Sequence, residues 1–524
     1  MKKKKTRRAR FVIGLIKNPK FFFIVCLVIF LCFSIHNISL PWQWGHTGFV
    51  TTERSEFAIN YLKIGYWKTK FAQTYSTGIL ERGKEVYETN VHHPPTISLY
   101  LSLFYLIFGI SEVCGRLASV VLCIGILTVA FYLIKRLFDP TTAIVTAFMI
   151  TLSPILYYVR HYVGPELLAS FWITVTLTCY ITWINKKNER WLIITLLCLI
   201  IGTFTDWQFY FLAPALLLHY LIFLMPKNYS NKFVLIIPVM FFCFFIYVLY
   251  LIWVGGSFNA GNHFGGNMVE MLKFRLNLSE ASKAYNITLA GLVAKLFNSL
   301  SKFYSKFVLI SLFFWLINFI YKLVFRKNVL MESIFFFTVF FQILFLFIFS
   351  NLFWIHDYLI MLLFPTLIFL VGFFLQDLLG YIKLISWFSQ KARKVVALIL
   401  LLVIFASSVH NSLSEINMIE KEITLVPGEI LFLSKNKGQN ILVTFDEHPQ
   451  YHQFKFYANL INFKKISSSS EYNMIISQND TFYSYIIMQK NQNLEDLENN
   501  LSTTYFNVSY NNYIVFDRKM HQGS

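Results

Sequence analysis

Charge is scarce in this chain, and acidic charge most of all. Of 524 residues, 27 are Asp or Glu against 46 Lys or Arg, and charged residues make up 14%, where a soluble domain carries about a quarter. That shortage argues against an ordinary water-soluble globule. No Gly-rich phosphate loop is present, so a nucleotide-cradling backbone is not indicated. The seven cysteines do not fall at metal-ligand spacing. Cys26, Cys32, Cys123, Cys179, Cys198 and Cys243 lie in apolar runs and Cys114 beside one, where cysteine serves as a small buried hydrophobe.

What is abundant is apolar surface. Hydrophobic residues make up 56% of the chain and the mean hydropathy is +0.55. Several runs reach the roughly 20 residues needed to cross a bilayer core. Backbone groups in lipid must be satisfied within the segment, which predicts helices rather than strands. The expected spans are 21–40, 116–136, 141–158, 167–184, 191–205, 209–226, 233–254, 306–325, 332–351, 358–379 and 395–411. Basic clusters flank them on alternate sides, at the MKKKKTRRAR amino terminus, Lys135–Arg136, Lys186–Arg190, Lys227–Lys232, Lys322–Lys327 and Lys383–Lys394. Placing those clusters in the cytoplasm predicts a cytoplasmic amino terminus and an extracytoplasmic carboxy terminus. The net charge of +19 is mostly this bias, so nucleic acid is not its partner. The first span is too long for a removable signal and has no small-residue cleavage site.

The expected organisation is a basic stretch at 1–20, a transmembrane domain at 21–411, and a small extracytoplasmic α/β domain at 412–524. Strand-like runs begin at Ile430, Asn440, Tyr483 and Tyr513, with helical stretches at 450–462 and 494–501 between them, predicting a mainly parallel sheet. Two outer loops, 41–115 and 255–305, are long enough to carry function. In the first, 52–65 reads as an amphipathic helix, with Phe57, Tyr61 and Ile64 opposite Glu53, Glu56, Asn60 and Lys63. His92-His93-Pro94-Pro95 then opens an apolar stretch ending at Gly109. It is too short to span, so it reads as interfacial or re-entrant.

Ionisable groups gather at the junctions of that outer face. Arg160, His161 and Glu166 lie between the third and fourth spans, Asp206 between the fifth and sixth, and His356-Asp357-Tyr358 before the tenth. Any one of them also suits the headgroup level, beside the Trp and Tyr belts. Both signs at separate loops of one face indicate a site, because charges at a bilayer are costly.

The HHPP stretch, Phe108-Gly109-x-Ser111-Glu112-x3-Arg116-Leu117, Leu152-Ser153-Pro154 leading to Arg160 and Glu166, and His356-Asp357-Tyr358 to Pro365 together resemble the membrane glycosyltransferases of the C superfamily (the GT-C fold). The similarity is to the protein O-mannosyltransferases and lipid A aminoarabinose transferases, over about residues 20–380. It implies an all-α polytopic fold of about 11 spans in the plasma (inner) membrane. It also implies inverting transfer of a sugar from a polyprenyl-phosphate donor to a lipid, glycan or protein acceptor on the outer side. A transporter or flippase, polymerase or ligase of lipid-linked glycans is the alternative.

Under that resemblance Arg160, His161, His356 and Arg54 are candidates for the donor phosphate, and His92, His93, Asp206, Asp357 and Tyr358 for substrate contacts. The family's usual Asp at the start of the first outer loop is missing from Gly45–Arg54. Glu53, Glu56 or His46 could act as base in its place, with Glu166 as the second acidic residue. A divalent cation at Glu53 and Glu166 is conceivable, since some relatives use one.

Overall fold

The computed structural model describes residues 19–384 apart from 43–45, 82–83, 91–92, 256–267 and 284, and beyond 384 only isolated stretches. In chain order its elements are α1 (Pro19–Ile35), α2 (His46–Ile64), strands β1 (Gln73–Glu81) and β2 (Lys84–Asn90), α3 (Thr96–Phe108), α4 (Glu112–Leu137), α5 (Pro140–Thr151), α6 (Pro165–Lys186), α7 (Glu189–Thr203) and α8 (Phe209–His219). Then follow α9 (Ile236–Gly255), α10 (Met268–Arg275), α11 (Leu289–Tyr304), α12 (Lys306–Val324), α13 (Leu330–Ile348) and α14 (Thr366–Leu384).

The protein is an all-α polytopic membrane fold. Among the described residues six helices are long and apolar enough to cross a bilayer, within 112–137, 165–186, 209–227, 231–254, 306–324 and 330–348. A seventh is broken: the 3-10 turn Asp357–Leu363 and the helix that follows it meet at 53°. α1, α3, α5 and α7 are shorter apolar helices of 12–17 residues. The expected span 395–411 and the runs at 430–433, 450–462 and 494–501 fall almost wholly outside the described residues.

Local chemistry sets where the helices stop. Ser111 accepts the Cys114 N–H, Asp139 accepts those of Thr141 and Thr142, and Asn188 accepts that of Arg190. Each cap satisfies a donor that the first helical turn leaves bare. Gly109, at φ +81°, ends α3, a conformation glycine adopts without strain. Arg116, fully buried, ties α4 to the end of the first span by donating to the carbonyls of Ile38, Leu40 and Pro41. Its guanidinium also lies 4.7 Å from the Trp42 ring centroid.

The helix read at 52–65 runs from His46 to Ile64, and its polar side is not in water: every residue from Val50 to Tyr61 is buried. The cover is the hairpin β1–β2, whose antiparallel pairing runs from Gln73–Asn90 to Glu81–Lys84; its polar, Gly-interrupted sequence hides it from an alternation test. The sheet of the carboxy-terminal region, in order β4 (Lys464–Lys465), β3 (Ile441–Val443), β5 (Tyr485–Gln489), β7 (Tyr513–Asp517), β6 (Phe506–Ser509), is mixed rather than mainly parallel. β3 pairs in parallel with β4 and β5, whereas β7 runs antiparallel to both β5 and β6, because 506–509 and 513–517 form a hairpin.

Late helices are joined by a buried ionic cluster. Lys322 on α12 donates to Glu332 on α13 at 2.5 Å and to Asp377 on α14, which also accepts from Asn318 at 2.6 Å. Replacing Lys322 with Met leaves two carboxylates facing each other in a poorly solvated setting, at a cost of about 3–5 kcal/mol. The thermal unfolding midpoint in detergent should therefore drop clearly in Lys322→Met. It should recover largely when Glu332→Gln and Asp377→Asn are added; an unchanged single-variant midpoint would remove this cluster from the account of stability.

Candidate active site

The polar face of α2 is wired rather than solvated. Glu53 Oε1 accepts the Tyr75 hydroxyl at 2.8 Å and Asn90 Nδ2 at 3.4 Å, and Glu53 Oε2 lies 3.3 Å from Arg54 Nη2. Arg54 Nη1 donates to Gln73 at 2.7 Å, and Gln73 donates onward to the Pro94 carbonyl at 3.3 Å. Burial alone would lower the Arg54 pKa, but Glu53, Tyr75, Glu166 and Tyr162 outweigh it and hold the guanidinium charged. Thr51 on the same helix accepts the Val163 N–H at 3.1 Å. Through these bonds α2 fixes the hairpin on one side and the 160–164 junction on the other.

Near this network lies a small cavity of about 20 Å³. Four ionisable residues, His93, Glu166, Asp206 and Arg275, line it together with Gln208. Phe345, Phe349, Leu352 and Leu359 supply an apolar wall. Glu166 stands in the first turn of α6 and accepts the Tyr162 hydroxyl at 2.8 Å. Gly164 permits that approach, since a Cβ there would lie 2.1 Å from the Tyr162 ring. Asp206 sits on the turn between α7 and α8, whose tightness depends on Gly202: Asp206 N–H bonds the Gly202 carbonyl at 3.0 Å, and a Cβ on Gly202 would meet the Phe209 ring at 2.0 Å. Thr96 at the start of α3 bonds the Phe204 carbonyl, which brings His93 against the same turn.

Charge is balanced across the cavity. Arg275 Nη2 is 3.2 Å from His93 Nε2, and His93 Nδ1 is 4.0 Å from Asp206 Oδ2. Burial, then the nearby Glu166, push the Asp206 carboxyl up to about 8, against the pull of Arg275 and the Trp207 and Gln208 N–H groups. Burial lowers the Arg275 pKa, and Asp206, Tyr358, Tyr247 and Glu166 counter it. Arg275 is held in place at the end of α10, where Asn351 donates to the neighbouring Phe274 carbonyl at 3.0 Å.

The structure therefore brings together Glu166, Asp206 and His93 of the residues read from sequence. Glu53 and Arg54 stand behind them, paired with each other. Glu56 is fully buried on α2 and does not line the cavity. Arg160 does not line it either: it stacks 3.5 Å from the Tyr157 ring centroid and donates to the Tyr157 carbonyl at 2.7 Å. His161 meets the Ser34 carbonyl at 2.8 Å, and burial followed by Arg160 and Arg116 hold its pKa well below the ordinary value, which suits a neutral ring rather than a phosphate cation. His356 packs by its ring against Tyr358 at 5.3 Å, Asp357 lies 3.6 Å from Lys302, and Tyr358 is buried with its ring 5.5 Å from that of Tyr162. The His92 residue and the His46 side chain lie outside the described residues. Sequence reasoning missed Arg275 and Gln208. Arg275 was visible only as one cation in a long outer loop, and Gln208 only as the second residue after Asp206.

Residues 92–253 match the family model of dolichyl-phosphate-mannose-protein mannosyltransferases. None of the curated proteins matches in sequence. Among solved structures, ArnT from Cupriavidus metallidurans, captured both apo and bound to undecaprenyl phosphate, is similar at 12% identity over 94% of this chain and 97% of that one, with a TM-score of 0.53. The Archaeoglobus fulgidus oligosaccharyltransferase, in complex with zinc and sulfate, is also similar at 12% identity, over 89% of this chain and 68% of that one, TM-score 0.53. Its complex with an inhibitory peptide and a dolichol-phosphate scores 0.52 at 10% identity, over 90% and 69% of the two chains. The chain shares the fold of these membrane proteins.

A divalent cation does not fit the donors on hand. Among the described residues no three His, Cys, Asp or Glu side chains converge to hold one, and Glu53 is committed to Arg54 and Tyr75.

The raised Asp206 pKa has a stability consequence. Between the unfolded value of 3.8 and the folded value of about 8, the folded state holds a proton that the unfolded state has released. Stability from this group is thus full below 3.8 and is lost as pH rises through about 8. The thermal midpoint of Asp206→Asn minus that of the wild type should accordingly climb as pH is raised from 4 to 8. A difference that stays flat across that window would place Asp206 in a better solvated setting than the one described.

Proposed function

We propose that this protein is an integral membrane glycosyltransferase that moves a sugar from a polyprenyl-phosphate donor to an acceptor at the outer face of the membrane. One observation carries the reading: a cavity beside apolar spans lined by two carboxyls, Glu166 and Asp206, and two nitrogen bases, Arg275 and His93. An anionic headgroup on an isoprenoid tail needs a cation at the edge of the bilayer, and an acceptor needs a group to take its proton. The similarity to ArnT, which has been captured with undecaprenyl phosphate, and the partial match to the mannosyltransferase model support the donor class. The alternating basic clusters support a cytoplasmic amino terminus and an outward-facing 412–524 domain in the plasma membrane.

In this reading Arg275, with His93 beside it, binds the donor phosphate. The acceptor oxygen or nitrogen attacks the anomeric carbon, the bond from that carbon to phosphate oxygen breaks, and polyprenyl phosphate leaves with the electron pair. The acceptor proton passes to the Glu166–Asp206 pair. A single displacement of this kind inverts the anomeric centre and needs no second nucleophile. Glu53 acts indirectly, holding Arg54 and the hairpin in place.

Arg275→Ala should weaken undecaprenyl-phosphate binding on the order of 100-fold. Glu166→Gln and Asp206→Asn should each slow transfer about 10²–10⁴-fold while donor binding survives. Transfer of labelled sugar in vesicles measures the carboxyl variants, and binding to the purified protein measures Arg275→Ala. Wild-type turnover in both carboxyl variants would overturn the assignment.

A further inference from the structure

Resting on the glycosyl-transfer reading, we propose that Gln208 accepts a hydrogen bond from a hydroxyl of the donor sugar and so determines which neutral sugar ring the cavity takes. Gln208 is 1% exposed and lines the cavity. Its Oε1 has no hydrogen-bond partner among the described residues. A buried amide oxygen without a donor is costly, and one that lines a cavity is placed where an incoming donor can meet it.

The residue cannot easily swing elsewhere. It precedes α8 directly, its main-chain N–H bonds the Asp206 carboxyl, and its carbonyl accepts from Phe211 and Leu212 at 2.9 and 3.0 Å. Around it Arg275 meets His93, His93 Nδ1 lies 4.0 Å from Asp206, and Glu166 accepts from Tyr162, while Arg275 Nε, a donor, has no hydrogen-bond partner among the described residues. Gln208 Oε1 adds a neutral acceptor beside that charged donor. A carbonyl oxygen has nothing to offer a phosphate, which brings only acceptors, whereas a sugar hydroxyl can donate. Phe345 and Phe349, which also line the cavity, offer apolar surface to the C–H face of a ring. The chemistry thus divides the cavity: Arg275 and His93 suit the phosphate, and Gln208 suits the sugar.

The test uses the full chain in lipid nanodiscs. Affinities are measured for undecaprenyl phosphate, for undecaprenyl-phosphate mannose, glucose, galactose and arabinose, and for the single-deoxy analogues of whichever binds best. Gln208→Leu keeps the bulk and removes the acceptor. It should weaken the best glycolipid on the order of tenfold, leave undecaprenyl phosphate unchanged, and show no loss for one deoxy analogue. Gln342→Leu is the control. Gln342 is another fully buried glutamine, on α13, whose amide atoms have no partner among the described residues, but it does not line the cavity; its replacement should leave sugar discrimination as it is. Equal loss for undecaprenyl phosphate and the glycolipids would mark Gln208 as a packing residue and overturn the proposal. So would unchanged discrimination, the result expected if only water meets Oε1. If the wild type binds undecaprenyl phosphate but Gln208→Leu discriminates as before, this proposal alone fails. If the wild type binds neither undecaprenyl phosphate nor any glycolipid, the glycosyl-transfer reading fails and takes this proposal with it.

Discussion

Desolvation of the Glu53–Arg54 pair is the constraint around which the half of this protein that carries the cavity is arranged. Both side chains are nearly out of water, at 8% and 5% exposed, and an ion pair in that position is favourable only when further hydrogen bonds meet its remaining lone pairs and protons. The hairpin supplies them. Tyr75, Gln73 and Asn90 come from β1 and β2 and converge on the two charges, so a polar, Gly-containing segment with little reason to form strands is drawn down onto α2. The same helix holds the 160–164 junction through Thr51, and that junction carries Tyr162 to Glu166. A charge pair that does not line the cavity therefore fixes the position of a carboxyl that does.

This arrangement explains which parts were legible in the sequence. Spans such as 112–137 and 165–186 were readable because lipid demands long apolar runs and the chain states their ends in local chemistry: Ser111, Asp139 and Asn188 as caps, Lys135 and Arg136 at the closing turn. The HHPP segment was readable for the same reason, with proline before the helix and Gly109 after it. The α2 helix itself was also legible, but its environment was not. Periodicity reports that Glu53, Glu56 and Asn60 share a face; it does not say whether water or a hairpin covers that face.

The cavity was half legible. Glu166, Asp206 and His93 stood out because charged residues beside spans are rare enough to notice. Arg160 stood out equally, yet it folds back on Tyr157, because a cation next to an aromatic ring and a main-chain carbonyl has a local solution that order along the chain does not reveal. Arg275 was hidden for the opposite reason. In a long polar loop one arginine among several cations carries no signal, and only the folding of α10 against Asn351 selects it.

Neutral groups are harder still, and here the constraint that organises the charges becomes useful. Charged side chains in a poorly solvated site find partners inside the protein, because the alternative is expensive. The contacts among Arg275, His93, Asp206 and Glu166 report the electrostatics of the site more than the shape of what enters it. A buried amide costs less to leave unsatisfied than a charge. Gln208 is such a group, and its open acceptor carries information about substrate that the paired charges around it do not.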